Sequence, residues 1–226
     1  MKTKDINGFT HVKYAADHYT EEEMLQRSEA FYQWIDRRRS VREISDRSFP
    51  RQVLDQIILA ASTAPSGAHK QPWTFCVVSN PEIKAKIREA SEKEERESYE
   101  SRMSERWKDD LKPIGTNWHK PFLEKAPYLV ILFKRVYELD SEGKKINNYY
   151  VNESVGIAAG MFISAVHHAG LVTLTHTPSP MNFLADILGR PANERAYLVL
   201  PVGYPDADVY VPDFKRKPLD EVCVNY

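Results

Sequence analysis

Apolar positions recur along this chain in two rhythms, and the rhythm marks the elements. In residues 21–38, Phe31, Trp34 and Ile35 fall at helical spacing, which predicts a helix. Phe49-Pro50 opens a second helix, in which Val53, Leu54, Ile57, Ile58 and Ala61 recur with a helical period. Proline suits such a first turn, because its missing N–H has no intrahelical partner there. Residues 62–73 carry two prolines and a glycine and read as a loop. A strand is predicted over 74–79, after which Asn80 caps a helix with Pro81 at its first position.

From 82 to 112 the apolar rhythm fades. Runs such as Glu92-Lys93-Glu94-Glu95-Arg96-Glu97 predict a solvated helix that adds few apolar contacts to a core and is correspondingly mobile. Residues 128–133 are apolar on both faces, the mark of a central strand. Residues 152–169 form a helix that is apolar nearly all round. Its Gly156, Ala158, Ala159 and Gly160 allow another helix close, so it belongs in a core or a subunit interface. Gly170 ends it. Strands at 171–175 and 196–202 flank a short helix near 182–188, and the tail at 205–226, with three prolines, reads as extended. Helices and strands mix without strict alternation, so the expected class is α+β, in one domain spanning 1–226.

Composition narrows the function classes. The 226 residues carry a net charge of −1, which argues against wholesale nucleic-acid binding. The first 17 residues are polar and lack an apolar leader. The apolar runs at 126–133 and 155–166 fall short of the roughly 20 residues a bilayer needs, so a soluble chain is expected. Cys76 and Cys223 lie far apart and form no metal-ligand pattern. Cys76, in an apolar strand, reads as a buried thiol, and a reducing cytoplasm is the default compartment. The histidines form no metal set, and Ser66 lacks the flanking glycines of a nucleophile elbow.

The concentrated chemistry is Arg37-Arg38-Arg39-Ser40-Val41-Arg42, four guanidiniums and a hydroxyl in six residues. Guanidinium presents a permanently charged fork of donors that fits phosphate, which in a charge-balanced chain points to a small phosphorylated ligand. A solvated basic helix end is the alternative reading.

Several motifs together carry a resemblance. Arg38-Arg39-Ser40-Val41-Arg42 is followed by Pro65-Ser66-Gly67 in an Ala-Pro-Ser-Gly-Ala-His-x-x-Pro-Trp loop, and this pair resembles the nitroreductase superfamily of FMN enzymes. Glu95-x-x-x-Tyr99, Thr116-Asn117-Trp118-His119-Lys120, Thr175-His176-Thr177-Pro178 and Lys215-Arg216-Lys217-Pro218-Leu219-Asp220 resemble its iodotyrosine deiodinase branch.

That resemblance implies a nitroreductase-like fold with a central mixed sheet flanked by helices. It also implies an intertwined homodimer with FMN at the subunit interface, and a catalytic domain without the membrane anchor of the animal enzymes. Residues 1–20 would be an N-terminal arm, 92–117 a lid over the site, and 205–226 a tail crossing to the partner subunit. Arg38, Arg39, Ser40, Val41, Arg42 and Arg216 would hold FMN through charge-assisted bonds, with Pro65, Ser66 and Gly67 letting the backbone approach the flavin. Thr175, His176 and Thr177 would also line the cofactor, Thr177 donating near flavin N5 and tuning the catalytic electronics.

Glu95, Tyr99 and Lys120 would clamp the zwitterion of a halotyrosine, and the Ala68 N–H would read its phenolate. The implied reaction takes mono- and diiodotyrosine to tyrosine and iodide, by single-electron steps. A general NAD(P)H-dependent nitroreductase or quinone reductase shares the cofactor motifs without needing the clamp.

Overall fold

A computed structural model describes residues 2–226. Two compact units emerge, Met1–Arg38 and Arg39–Tyr226.

In the first unit, strands β1 (Thr3–Ile6) and β2 (Phe9–Val12) form an antiparallel hairpin. Its turn is Asn7-Gly8, both at positive φ (55° and 83°). That is the geometry whose twist matches the flanking strands, and it favours Asn-Gly. The stretch read as a plain N-terminal arm therefore contains a hairpin. Helix α1 (Glu21–Asp36) begins at a capping box. The Thr20 hydroxyl accepts the Glu23 N–H at 3.2 Å, and the Glu23 carboxylate accepts the Thr20 N–H at 2.8 Å. No α1 residue is buried, and Phe31 and Tyr32 stand exposed.

The second unit is built on a four-stranded sheet in the order β3 (Trp73–Val78), β4 (Tyr128–Arg135), β8 (Glu194–Gly203), β7 (Val172–Thr173), while β5 (Tyr137–Leu139) and β6 (Lys145–Asn147) pair apart from it as an antiparallel ribbon. Every pairing is antiparallel, so within one chain the sheet is antiparallel where a mixed one was expected. The excursions between paired strands return to the end of the sheet they left, and such connections give antiparallel neighbours.

β4 is central, as its pattern predicts. Val130 and Leu132 pack with helices α2 (Arg51–Ala61) and α6 (Val151–His168) on one face. Leu129, Ile131 and Phe133 pack on the other face with helices α3 (Pro81–Glu97) and α7 (Asn182–Ile187). All five are fully buried, each contributing about 1.5–3 kcal/mol of transfer free energy.

Helix α6 is not enclosed all round. Val155, Ala158, Ala159, Phe162 and Val166 turn inward, whereas Ile157 is 46% exposed and open space surrounds Gly160. Cys76 is half-buried rather than buried. Among the described residues no helix is long and apolar enough to cross a membrane.

The charged stretch is not one helix to residue 112. α3 stops at Glu97 and passes into a wide, π-type turn over Ser98–Arg102. Met103 is extended, and α4 (Glu105–Leu111) restarts where the Ser104 hydroxyl accepts the Trp107 N–H at 3.2 Å. Serine caps helices better than it continues them, which explains the break. A short helix α5 (Phe122–Lys125) then leads into β4.

Candidate active site

α3 starts on the Asn80 side chain, which accepts the N–H groups of Glu82 and Ile83. Its buried positions are Lys84, Ile87 and Ser91, a stripe at spacings of three and four. Glu95 is the next position on that stripe. A carboxylate thus stands where helical periodicity calls for a core residue, and its side chain is only 13% exposed. One turn further, in the wide turn, comes Tyr99.

Lys120 arrives from the other side of the cleft. Its main-chain N–H donates to Glu92 at 2.7 Å, and Arg88 pins Glu92 at 2.8 Å and Glu124 at 2.6 Å. Arg96 lies over the Trp118 ring at 4.2 Å. These contacts fasten residues 118–120 to α3. The Lys120 Nζ then reaches Glu95 Oε2 at 3.4 Å and donates to the Thr116 hydroxyl at 3.1 Å and to the Asn117 carbonyl. The Tyr99 hydroxyl donates to the Thr116 carbonyl at 3.3 Å.

Arg42 enters from an extended segment fixed by its neighbours. Val41 is buried and its N–H donates to the Thr173 carbonyl, while Ile44 is buried and bridges to Pro205. Beyond β7, Leu174, His176 and Pro178 face inward while Thr175 and Thr177 are exposed, an extended alternation held by reciprocal main-chain bonds between His176 and Val199 at 2.9 Å.

Together these elements enclose a cleft of about 280 Å³ lined by Arg42, Glu95, Tyr99, Lys120, Thr175, His176 and Thr177. Apolar side chains from the segment after α3 complete the lining. Met103, Trp107 and Leu111 lie four apart and all line the cleft. The sequence reading missed them, although an apolar stripe inside a charged run was a signal on the page.

Burial sets the electrostatics. It pushes the Glu95 carboxyl up, against the pull of Lys120, and pushes the Lys120 ammonium down, against the pull of Glu95. Burial and then Glu95 raise the Tyr99 phenol, and burial lowers Arg42. His176, desolvated and near Lys120 and Arg42, is pushed down to about 3 and is neutral at ordinary pH. One carboxylate, two cations and a phenol in a half-dry cleft can hold a ligand bearing both signs of charge.

The other expected site residues lie outside the lining of this cleft. Arg38 closes the first unit, its N–H on the Ile35 carbonyl. Arg39 donates to the Pro212 carbonyl in the tail, and Ser40 and Arg216 are exposed. Pro65, Ser66, Gly67 and Ala68 form the loop before β3.

That loop is strained. Ala68, His69 and Gln71 all have φ near +50°, at a cost of about 1–2 kcal/mol each. Gly67 is required by a close approach, but to this chain's own α6 start. A Cβ there would sit 3.0 Å from the Tyr149 carbonyl and the Tyr150 ring.

The donor chemistry fits FMN. Arg39, Ser40 and Arg42 present two guanidiniums and a hydroxyl within four residues, suited to a phosphate dianion.

The sequence matches the profile described as "Nitroreductase family" over residues 35–204. It is 58% identical over 215 residues to iodotyrosine deiodinase of Haliscomenobacter hydrossis, covering 95% of this chain and 97% of that protein. It is 48% identical over 215 residues to iodotyrosine deiodinase 1 of Homo sapiens, covering 95% of this chain and 74% of that protein. The fold is similar, at TM-score 0.76 and 32% identity over 86% of this chain and 97% of the other, to a crystal structure of oxidised iodotyrosine deiodinase bound to FMN and 3-iodo-L-tyrosine. The chain belongs to the nitroreductase family and, within it, to the iodotyrosine deiodinases.

Proposed function

We propose that this protein removes iodide reductively from mono- and diiodotyrosine, with FMN as its cofactor. The observation that carries the reading is Glu95, Tyr99 and Lys120 converging in one cleft, with Glu95 and Lys120 3.4 Å apart. The balance is Ar–I + 2 e⁻ + H⁺ → Ar–H + I⁻. Bound in its two-electron-reduced form, FMN would supply the two electrons, and every other role falls to side chains and backbone.

Arg38, Arg39, Ser40, Val41, Arg42 and Arg216 would hold the cofactor, with charge-assisted bonds from the guanidiniums. Thr175, His176 and Thr177 would flank it, the Thr177 hydroxyl serving as a donor to tune its electronics. Glu95 takes the substrate ammonium, Lys120 its carboxylate, and Tyr99 donates to the same end. The lid of residues 92–117 closes with Met103, Trp107 and Leu111 over the aromatic ring, excluding water.

Pro65, Ser66, Gly67 and Ala68 serve the site in a homodimer. They stand outside the cleft lining of their own chain, and the Ala68 N–H reads the substrate phenolate from the partner copy. The open side of α6 at Ile157 and Gly160 supports such pairing, as does the extended tail with exposed Tyr210 and Val224. Two free cysteines fit a reducing cytoplasm.

The test is a titration of the oxidised, FMN-loaded protein with diiodotyrosine, followed by flavin fluorescence, and then anaerobic reduction with dithionite before iodotyrosine is added. Quenching at micromolar ligand, followed by flavin reoxidation with tyrosine and iodide formed, is expected. Absence of quenching, together with a Glu95→Gln variant that behaves as the wild type, would sink the reading in favour of a general nitroreductase.

A further inference from the structure

His176 is a buried polar side chain whose Nε2 has no hydrogen-bond partner among the described residues. Its ring meets the edge of Phe122 at 5.8 Å, and its Nδ1 lies 3.8 Å from Glu95 Oε1. Lys120 addresses the other Glu95 oxygen at 3.4 Å. Both contacts are long, as bonds in an open site commonly are before a ligand draws them tight.

A neutral imidazole carries one proton. Placed on Nε2, it would leave a buried donor unpaired and turn a lone pair toward a carboxylate. Placed on Nδ1, it faces Glu95, and only an acceptor is left without a partner. The network therefore assigns the proton to Nδ1.

We infer that His176 is a positioning residue for the ammonium-binding carboxylate, its Nδ1–H orienting Glu95 while leaving that carboxylate's charge to the ligand. This rests on the zwitterion clamp proposed above. The groups facing the ring are Glu95 from α3, Tyr99 from the wide turn, Lys120 from the loop before α5, and Arg42 from the extended segment. Two of them are already cationic. A third positive charge would compete with the incoming ammonium for Glu95, whereas an uncharged donor orients the oxygen without neutralising it. The ring's burial between the Phe122 edge and the cleft keeps it in that uncharged form.

The test uses FMN-loaded protein and two ligands, 3-iodotyrosine and its desamino analogue 3-(4-hydroxy-3-iodophenyl)propionate, with affinities from calorimetry. His176→Leu should weaken iodotyrosine binding about tenfold, the scale of one hydrogen bond to a charged group. It should leave the desamino ligand within twofold, and should raise KM for iodotyrosine in step with the loss of affinity.

His176→Asn, whose amide nitrogen falls near the Nδ1 position, should restore iodotyrosine binding to within threefold. His176→Gln, whose amide reaches toward Nε2, should not. Should the leucine variant not fold, the contrast between asparagine and glutamine decides alone. Equal rescue by both, or equal losses for both ligands, overturns the proposal. If the wild type binds iodotyrosine and Glu95→Gln weakens it while the His176 variants do not, only this inference fails. If the wild type does not bind iodotyrosine, the reading of the site fails and takes the proposal with it.

Discussion

Arg102 Nη1 donates to the main-chain carbonyl of Ser179 at 3.0 Å, tying the wide turn after α3 to the segment that follows Thr175, His176 and Thr177. The same guanidinium reaches back to Glu94 at 3.0 Å and to Glu97 at 2.6 Å. It thus links the end of α3 to the segment beyond Thr177. Arg102→Ala should raise KM for iodotyrosine about three- to tenfold by loosening closure, with little change in melting temperature, since exposed pairs stabilise a fold weakly. Unchanged KM with a clearly lower melting temperature would assign Arg102 to the fold instead.

Glu95→Gln keeps the shape of the side chain and removes its charge, leaving the buried Lys120 ammonium without its counter-ion. Iodotyrosine affinity should fall about 100-fold, the usual scale for truncating one member of a buried charge pair. Because burial holds the Glu95 carboxyl above the ordinary range, wild-type binding should weaken with falling pH already above the ordinary carboxylate value of 4.5. The glutamine variant should lack that limb of the pH profile, which calorimetry between pH 5 and 8 would reveal.

The pH dependence of stability should carry the signature of His176. Its value of about 3 lies below the ordinary 6.5, so between those values the unfolded chain binds a proton that the folded chain refuses. Stability should therefore fall as pH drops through that window. At pH 4 this ring accounts for about 3 kcal/mol, at about 1.4 kcal/mol per pH unit. His176→Asn should lose less stability than the wild type between pH 7 and pH 4 in urea unfolding. Identical losses would show that the ring is not desolvated in solution.

Gly203→Ala should disturb the site from a distance. A Cβ at Gly203 would fall 2.6 Å from the Ile44 side chain and 2.9 Å from the Pro127 ring, and Ile44 anchors the segment that carries Arg42. A loss of about 1–3 kcal/mol in stability is expected, together with weaker FMN retention on gel filtration. Gly156→Ala is the control, because the neighbour there is the Tyr197 hydroxyl at the end of a movable side chain.

Local patterns revealed the elements better than their assembly. β4 could be read from residues apolar on both faces, and the start of α3 from Asn80-Pro81. The Asn7-Gly8 hairpin carried a turn signal too, but the flanking strands are short and fully exposed, so no burial pattern reinforced it. The break at Met103 depends on Ser104 capping a new helix, a choice that charge patterning does not encode. Within the site, Glu95 and Lys120 were legible through their motifs. Their meeting at 3.4 Å was not, because it is set by Arg88, Glu92 and Glu124, which fasten two segments distant in sequence.

The inner face of α3 changes character along its length. Ile87 packs into the core, Ser91 is buried without a side-chain partner, and Glu95 meets ions across a cleft. The helix runs unbroken from its core end to its polar tip, with no glycine or proline between them. A zwitterionic ligand would fill the polar space that Glu95 opens on that face, so on the reading proposed above binding would complete the helix's packing and close the lid in the same event.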